Sequence, residues 1–240
     1  MTKFISLSIS VLISINIAIA QNNNVKKNIL HCIEMSDIRS EQFKKIYKYF
    51  QYDGFWELPA YFDRNYKGSV RPYPYKHTNG ESPFYVNINK GDKSRNDRET
   101  TISYLYNETN GDYILGVITA VARGFSAVKW WLVTFDFFGN VIDYIPISES
   151  IGDVSTIESQ INKSFTVNIQ RLDFPDNDCI LKDYKPLENL KGQRIDTKYE
   201  ITTDGKFKKL NEVRYESQIY SSTTLLDEKI NIRDRGERKM

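Results

Sequence analysis

Ile195-Asp196-Thr197-Lys198-Tyr199-Glu200-Ile201-Thr202-Thr203-Asp204-Gly205-Lys206-Phe207-Lys208-Lys209-Leu210 is the stretch that decides the fold. Ile195, Thr197, Tyr199 and Ile201 alternate with Asp196, Lys198, Glu200 and Thr202, the period of two that gives a strand one apolar and one polar face. Asp204-Gly205 reads as a two-residue hairpin turn that returns Lys206 to Tyr215 against the strand before it. Strands joined this tightly must run antiparallel, because a parallel pair needs a crossover of a dozen residues or more.

Upstream the same grammar repeats. Phe165, Val167 and Ile169 alternate with Thr166, Asn168 and Gln170. Val141 to Ser148 places Val141, Ile145 and Ile147 on one face, with Pro146 marking an edge or a bulge. Gly139-Asn140 turns the chain before it, and Ala127 to Asp136 carries Trp130, Trp131, Leu132 and Val133 in succession. Together with Tyr113 to Ala122, apolar on both faces, it is expected to be a central strand. Ile102, Tyr104 and Tyr106 alternate, and Asn110-Gly111 supplies a third hairpin signal. Three hairpin turns with no helical crossover predict a mainly β chain: an antiparallel meander over 101–217, its sheet curved or barrel-like, with a sandwich as the alternative.

The units Trp131-Leu132-Val133-Thr134-Phe135-Asp136-Phe137-Phe138-Gly139-Asn140-Val141-Ile142-Asp143-Tyr144 and Tyr199-Glu200-Ile201-Thr202-Thr203-Asp204-Gly205-Lys206-Phe207 resemble strand-turn-strand units of functionally uncharacterised exported β-meander proteins of gut-type Gram-negative bacteria. The resemblance spans residues 101–217 and implies a periplasmic setting. It brings no catalytic residues with it.

One amphipathic helix precedes the strands, over 40–51. Ser40 is placed to cap it, and Phe43, Ile46, Tyr47 and Phe50 recur at spacings of three and four, while Lys44, Lys45 and Lys48 form its solvated face. Residues 55–100 carry Pro59, Pro72, Pro74 and Pro83 and read as an irregular segment with one short strand, Phe84 to Ile88, and an exposed charged loop from Asn89 to Arg98. The remainder divides into 1–20, a leader; 21–35, a linker; 36–224, one β-rich domain; and 225–240, a charged tail of which Arg233 to Met240 is expected to fray.

The leader is read from Lys3, an uncharged run over residues 4–17 and Ala18-Ile19-Ala20, the pattern of a secretory signal peptide. No cysteine follows Ala20, so the expectation is a soluble exported protein, periplasmic or secreted, not a lipoprotein and not stably inserted in the membrane. In an oxidising compartment Cys32 and Cys179 are a candidate disulfide, with two separate thiols as the alternative.

The 240 residues hold 33 Lys+Arg against 31 Asp+Glu, a formal +2, which excludes the basic footprint of a nucleic-acid binder. Chemistry is sparse. His31 and His77 are the only histidines, so nucleophilic catalysis has few bases to draw on, and His77 is expected to be solvated. Glu57 beside Trp56 is the candidate general acid for glycoside hydrolysis. Asp136 and Asp143 are expected at turn amides or in water, and Asp173, Asp176, Asn177 and Asp178 lack the spacing of a calcium loop. No metal site and no cofactor are expected.

What stands out is aromatic: Trp56, Tyr61, Tyr66, Tyr73 and Tyr75 crowd the segment without regular pattern, the residue types that stack on sugars or anchor protein partners. Packing over the open side of the sheet is the structural alternative. The functional expectation is an exported, non-catalytic binding or interaction domain engaging a protein or glycan of the cell envelope, an inhibitor or immunity protein being one version. An envelope polysaccharide or peptidoglycan hydrolase and a subunit of a surface assembly are the alternatives.

Overall fold

In a computed structural model of the chain most strands follow one another across one large antiparallel sheet, with a separate two-stranded pair beside it. The structure describes residues 31–52, 61–62, 73–74, 83–84, 98–122, 127–151, 154–175, 190–227 and 229–240. Among these the strands are β1 (His31–Cys32), β2 (Tyr61–Phe62), β3 (Tyr73–Pro74), β4 (Arg98–Tyr106), β5 (Glu108–Thr109), β6 (Ile114–Ala122), β7 (Ala127–Phe135), β8 (Val141–Ile151), β9 (Val154–Ile161), β10 (Thr166–Asp173), β11 (Leu190–Ile201), β12 (Phe207–Arg214) and β13 (Gln218–Tyr220). The helices are α1 (Glu41–Tyr52) and α2 (Ser222–Leu226), with a 3-10 turn at Ile232–Asp234.

The main sheet runs β12-β11-β10-β9-β8-β7-β6-β4-β3, with β2 on β9 and β13 on β11, while β1 pairs β5 apart from it. This is the expected meander. It is not a closed barrel, since β12 and β3 end the order and do not pair with each other. The sheet nevertheless curls. Bulges interrupt the β4–β6, β7–β8, β8–β9 and β11–β12 ladders, and each adds local twist. As a result Tyr106, Leu115, Val117 and Leu132 from one half share a core with Ile157, Val167, Ile169 and Ile201 from the other.

Hydrogen bonds tie the curl. Asn110 Nδ2 donates to the Ile201 carbonyl at 2.8 Å, Thr134 Oγ1 to the Gly205 carbonyl at 2.6 Å, and the Phe207 N–H to Asp143 Oδ2 at 2.9 Å. The approach is so close at Gly111 that a Cβ there would lie 1.9 Å from the Thr203 carbonyl oxygen. Asn110-Gly111 is therefore no two-residue hairpin: β5 intervenes between β4 and β6, and Gly111 is there because backbone packs on backbone.

Three hairpin turns among the described residues share one construction. In 136–140, 162–166 and 202–206 the first N–H donates to the fifth carbonyl at 2.9, 3.1 and 2.9 Å, and the fourth N–H returns to the first carbonyl. These are three-residue loops ending in a positive φ, at Gly139 (85°), Phe165 (56°) and Gly205 (79°). Asp204-Gly205 thus belongs to a loop one residue longer than expected. Phe165 takes the left-handed conformation, costly for a residue with a Cβ, while its ring is buried in the shared core.

The other face of β4, β6 and β7 lies under α1. Ser40 Oγ accepts the Phe43 N–H at 3.2 Å, and Phe43, Ile46, Tyr47 and Phe50 pack on Ile102, Leu105, Ile114, Ile118, Val133 and Phe135. Burial raises the Tyr47 phenol well above its ordinary range, and its hydroxyl donates to the Ile33 carbonyl at 3.1 Å. The region read as irregular contributes β2 and β3 and leads into β4 at Arg98, three residues earlier than expected. β3 closes the sheet order, the one kind of place where Pro74 costs no ladder bond. Of the expected strand Phe84 to Ile88 only Phe84 is described, outside any strand.

A candidate binding face on β7 and β8

Alternation along β7 sends its two adjacent tryptophans to opposite faces. Trp130 packs at the shared core, its ring 5.4 Å from Phe62, whereas Trp131 lies on the face that α1 covers farther along. Around Trp131 stand Tyr144 of β8, centroids 5.5 Å apart, and Phe84 at 5.9 Å; Phe84 and Tyr144 are 5.1 Å apart. The rings meet edge to face, at interplanar angles of 61° to 75°, the arrangement their quadrupoles favour. Tyr144 is 38% exposed and Trp131 half-buried, so the cluster reaches the surface.

Charge borders it. Lys129 Nζ lies 4.9 Å from the Trp131 ring centre and 3.1 Å from Glu149 Oε1, and Thr156 Oγ1 donates to Glu149 Oε2 at 3.2 Å. Trp131 Nε1 is buried without a hydrogen-bond partner among the described residues. Beside the end of α1, Tyr49 packs on Phe50 and on Tyr73, with centroids 5.3 and 5.6 Å apart.

The residues singled out from sequence are distributed as follows. Tyr73 is half-buried against Tyr49, so its ring belongs to the packing over the sheet. Tyr61 is placed by its backbone, opposite Gln160. Trp56, Glu57, Tyr66, Tyr75, His77 and Cys179 lie outside the described residues, as do Asp176, Asn177 and Asp178. Cys32 is exposed and has no disulfide partner among the described residues, Cys179 lying outside them. Asp136 holds its turn, Oδ1 accepting the Phe138 and Asn140 N–H groups at 2.9 and 2.8 Å, and Asp143 links β8 to β12.

Trp131 and Tyr144 were not singled out by sequence, because a Trp-Trp pair within an apolar run reads as core. The signal lay in alternation: next to Trp130, Trp131 must face the other way. Among the described residues no three His, Cys, Asp or Glu side chains converge as metal ligands, and no helix is long and apolar enough to cross a membrane. No protein-family model matches the chain, and comparison with curated proteins and with solved structures returns no match.

Proposed function

We propose that the chain is an exported, non-catalytic binding domain that takes a protein or glycan of the cell envelope on the β7–β8 aromatic face. The observation that carries this reading is the Trp131, Tyr144 and Phe84 cluster, reaching the surface with the Lys129–Glu149 pair at its border. Apolar ring faces beside oriented charges are what a sugar ring or a partner's anchoring side chain requires. The leader-like residues 1–20 support export.

The test is affinity capture from a native cell-envelope extract with the wild-type protein and with Trp131→Ala and Tyr144→Ala, identifying bound proteins and glycans by mass spectrometry. A defined ligand retained by the wild type and lost from both variants, with their circular dichroism intact, supports the reading. Retention by both variants places the contact elsewhere, and release of trimmed glycan makes the protein an enzyme.

A further inference from the structure

Residues Arg233 to Met240, expected to fray, are docked. After α2 the chain crosses to the sheet: Ile232 is fully buried, and its N–H donates to the buried Glu158 Oε2 at 2.7 Å. Arg238 to Met240 then pair with the end of β12 at Arg214 and with the two residues that follow it, in a single antiparallel bridge flanked by backbone bonds. The Glu216 N–H donates to the Arg238 carbonyl at 2.8 Å, the Met240 N–H donates to the Arg214 carbonyl at 3.1 Å, and Tyr215 pairs antiparallel with Lys239.

One side chain anchors this strand. Arg194 of β11 donates from one terminal nitrogen to the Arg235 carbonyl at 3.1 Å and to Glu237 Oε2 at 3.0 Å. Tyr220 Oη and Gln218 Nε2 donate to Glu237 Oε1 at 3.3 and 3.5 Å. The Glu237 side chain is only 1% exposed, whereas Gly236, Arg238 and Lys239 are exposed and Met240 is 80% exposed. From Gly236 onward, then, backbone bonds, the Glu237 carboxylate and a contact from Gln193 Nε2 to Met240 Sδ at 3.3 Å hold the segment, with little apolar burial.

The receiving side is built to stand without it. Arg194 also grips Asp196 through Nε and its second terminal nitrogen at 2.7 and 2.8 Å, its guanidinium carbon lies 4.6 Å from the Tyr215 ring centre, and Tyr215 Oη donates to Asp196 Oδ2 at 3.0 Å. Lifting Glu237 away leaves Arg194 paired and oriented, so no buried charge is stranded. Edge backbone groups with one specific side-chain anchor are the elements of recognition by strand addition.

We propose that the β12 edge at Arg214–Glu216, with Arg194 beneath it, is a docking site for an extended, carboxylate-bearing segment of a partner protein, and that Gly236–Met240 occupy it in cis until displaced. The partner presents an Asp or Glu where Glu237 now sits. This site is independent of the Trp131 face.

The test uses the full chain and a labelled, end-blocked peptide of the Asp234–Met240 sequence as probe, followed by fluorescence anisotropy. Glu237→Ala, whose own strand has lost its anchor, is expected to bind the peptide at least tenfold more tightly than the wild type, and replacing the peptide's glutamate by glutamine is expected to remove that gain. Absence of binding to either chain, or binding indifferent to the glutamate, overturns the proposal. Hydrogen exchange on the wild type gives a readout free of mutation. The Glu216 and Met240 amides are expected to exchange at least a hundredfold faster than that of Ile201, which bonds to the Phe165 carbonyl in the sheet. Equal protection overturns the proposal, and so does a dimer formed by strand exchange between copies.

Discussion

Two regions of the meander, its interior at β6 and β7 and its end at β12, illustrate two ways of holding a strand in place. In β6 and β7 both faces meet apolar neighbours: Val117 and Leu132 point into the shared core, Ile118 and Val133 lie under α1, and all four are fully buried. In β12 most side chains are exposed, Leu210 by 46%, and a bulge opposite Lys198/Tyr199 breaks its ladder. β12 is held by pairing to β11, by the 202–206 turn and by Asp143. Hydrophobic burial on both faces holds the first region, whereas the second depends on backbone bonds that another strand can supply.

The widest gap between the two regions is expected from truncation. Leu132→Ala removes a fully buried side chain and should cost about 2–5 kcal/mol in urea unfolding, while Leu210→Ala should stay within about 0.5 kcal/mol. Comparable losses would erase the distinction.

Alkaline pH probes the same contrast. Burial pushes the phenols of Tyr104 and Tyr113 up to about 12 from an ordinary value of 10.0. A raised folded-state value means that their contribution to stability is whole below pH 10 and is lost as the pH rises through 12. Absorbance at 295 nm should show these tyrosines ionising only with cooperative unfolding; smooth ionisation of a still-folded protein would contradict the burial.

Backbone approach ranks next. Gly111→Ala forces a Cβ onto the Thr203 carbonyl and should cost about 1–3 kcal/mol, while Gly236→Ala, with open space around it, should leave the urea midpoint unchanged. Ser40→Ala removes the α1 cap and should cost about 1 kcal/mol by the same measurement. Smallest of all, Glu212→Gln breaks the Lys209 and Arg214 pairs on exposed β12 and should not shift the midpoint measurably.

The uneven legibility of the sequence has the same origin. Where one strand pairs with the next, period and turn residues locate it, as for β6, β7, β8, β10, β11 and β12, and spacing with a cap locates α1; β9, whose Ser155, Thr156, Glu158 and Ser159 are polar yet buried, carries no such alternation and was missed. What escaped depends on distant partners. β2 and β3 are two-residue strands that exist because β9 and β4 offer them an edge. Phe165 holds a glycine-like conformation because its ring has a core to enter. Arg233 to Met240 carry charge at six of eight positions, and nothing local announces that Arg194, on a strand with a polar face, meets Glu237. Of the candidate binding residues, Tyr73 was legible as an aromatic but its packing on Tyr49 was not, and Trp131 was hidden beside Trp130.

The most direct test of the Trp131 face is hydroxyl-radical footprinting of the protein alone and in native envelope extract, read by mass spectrometry at single residues. If ligand binds there, Trp131 and Tyr144 lose reactivity in the extract while Leu210 and Ile219, exposed elsewhere, keep theirs. Unchanged reactivity at Trp131 and Tyr144, with protection appearing at another surface, would contradict the assignment.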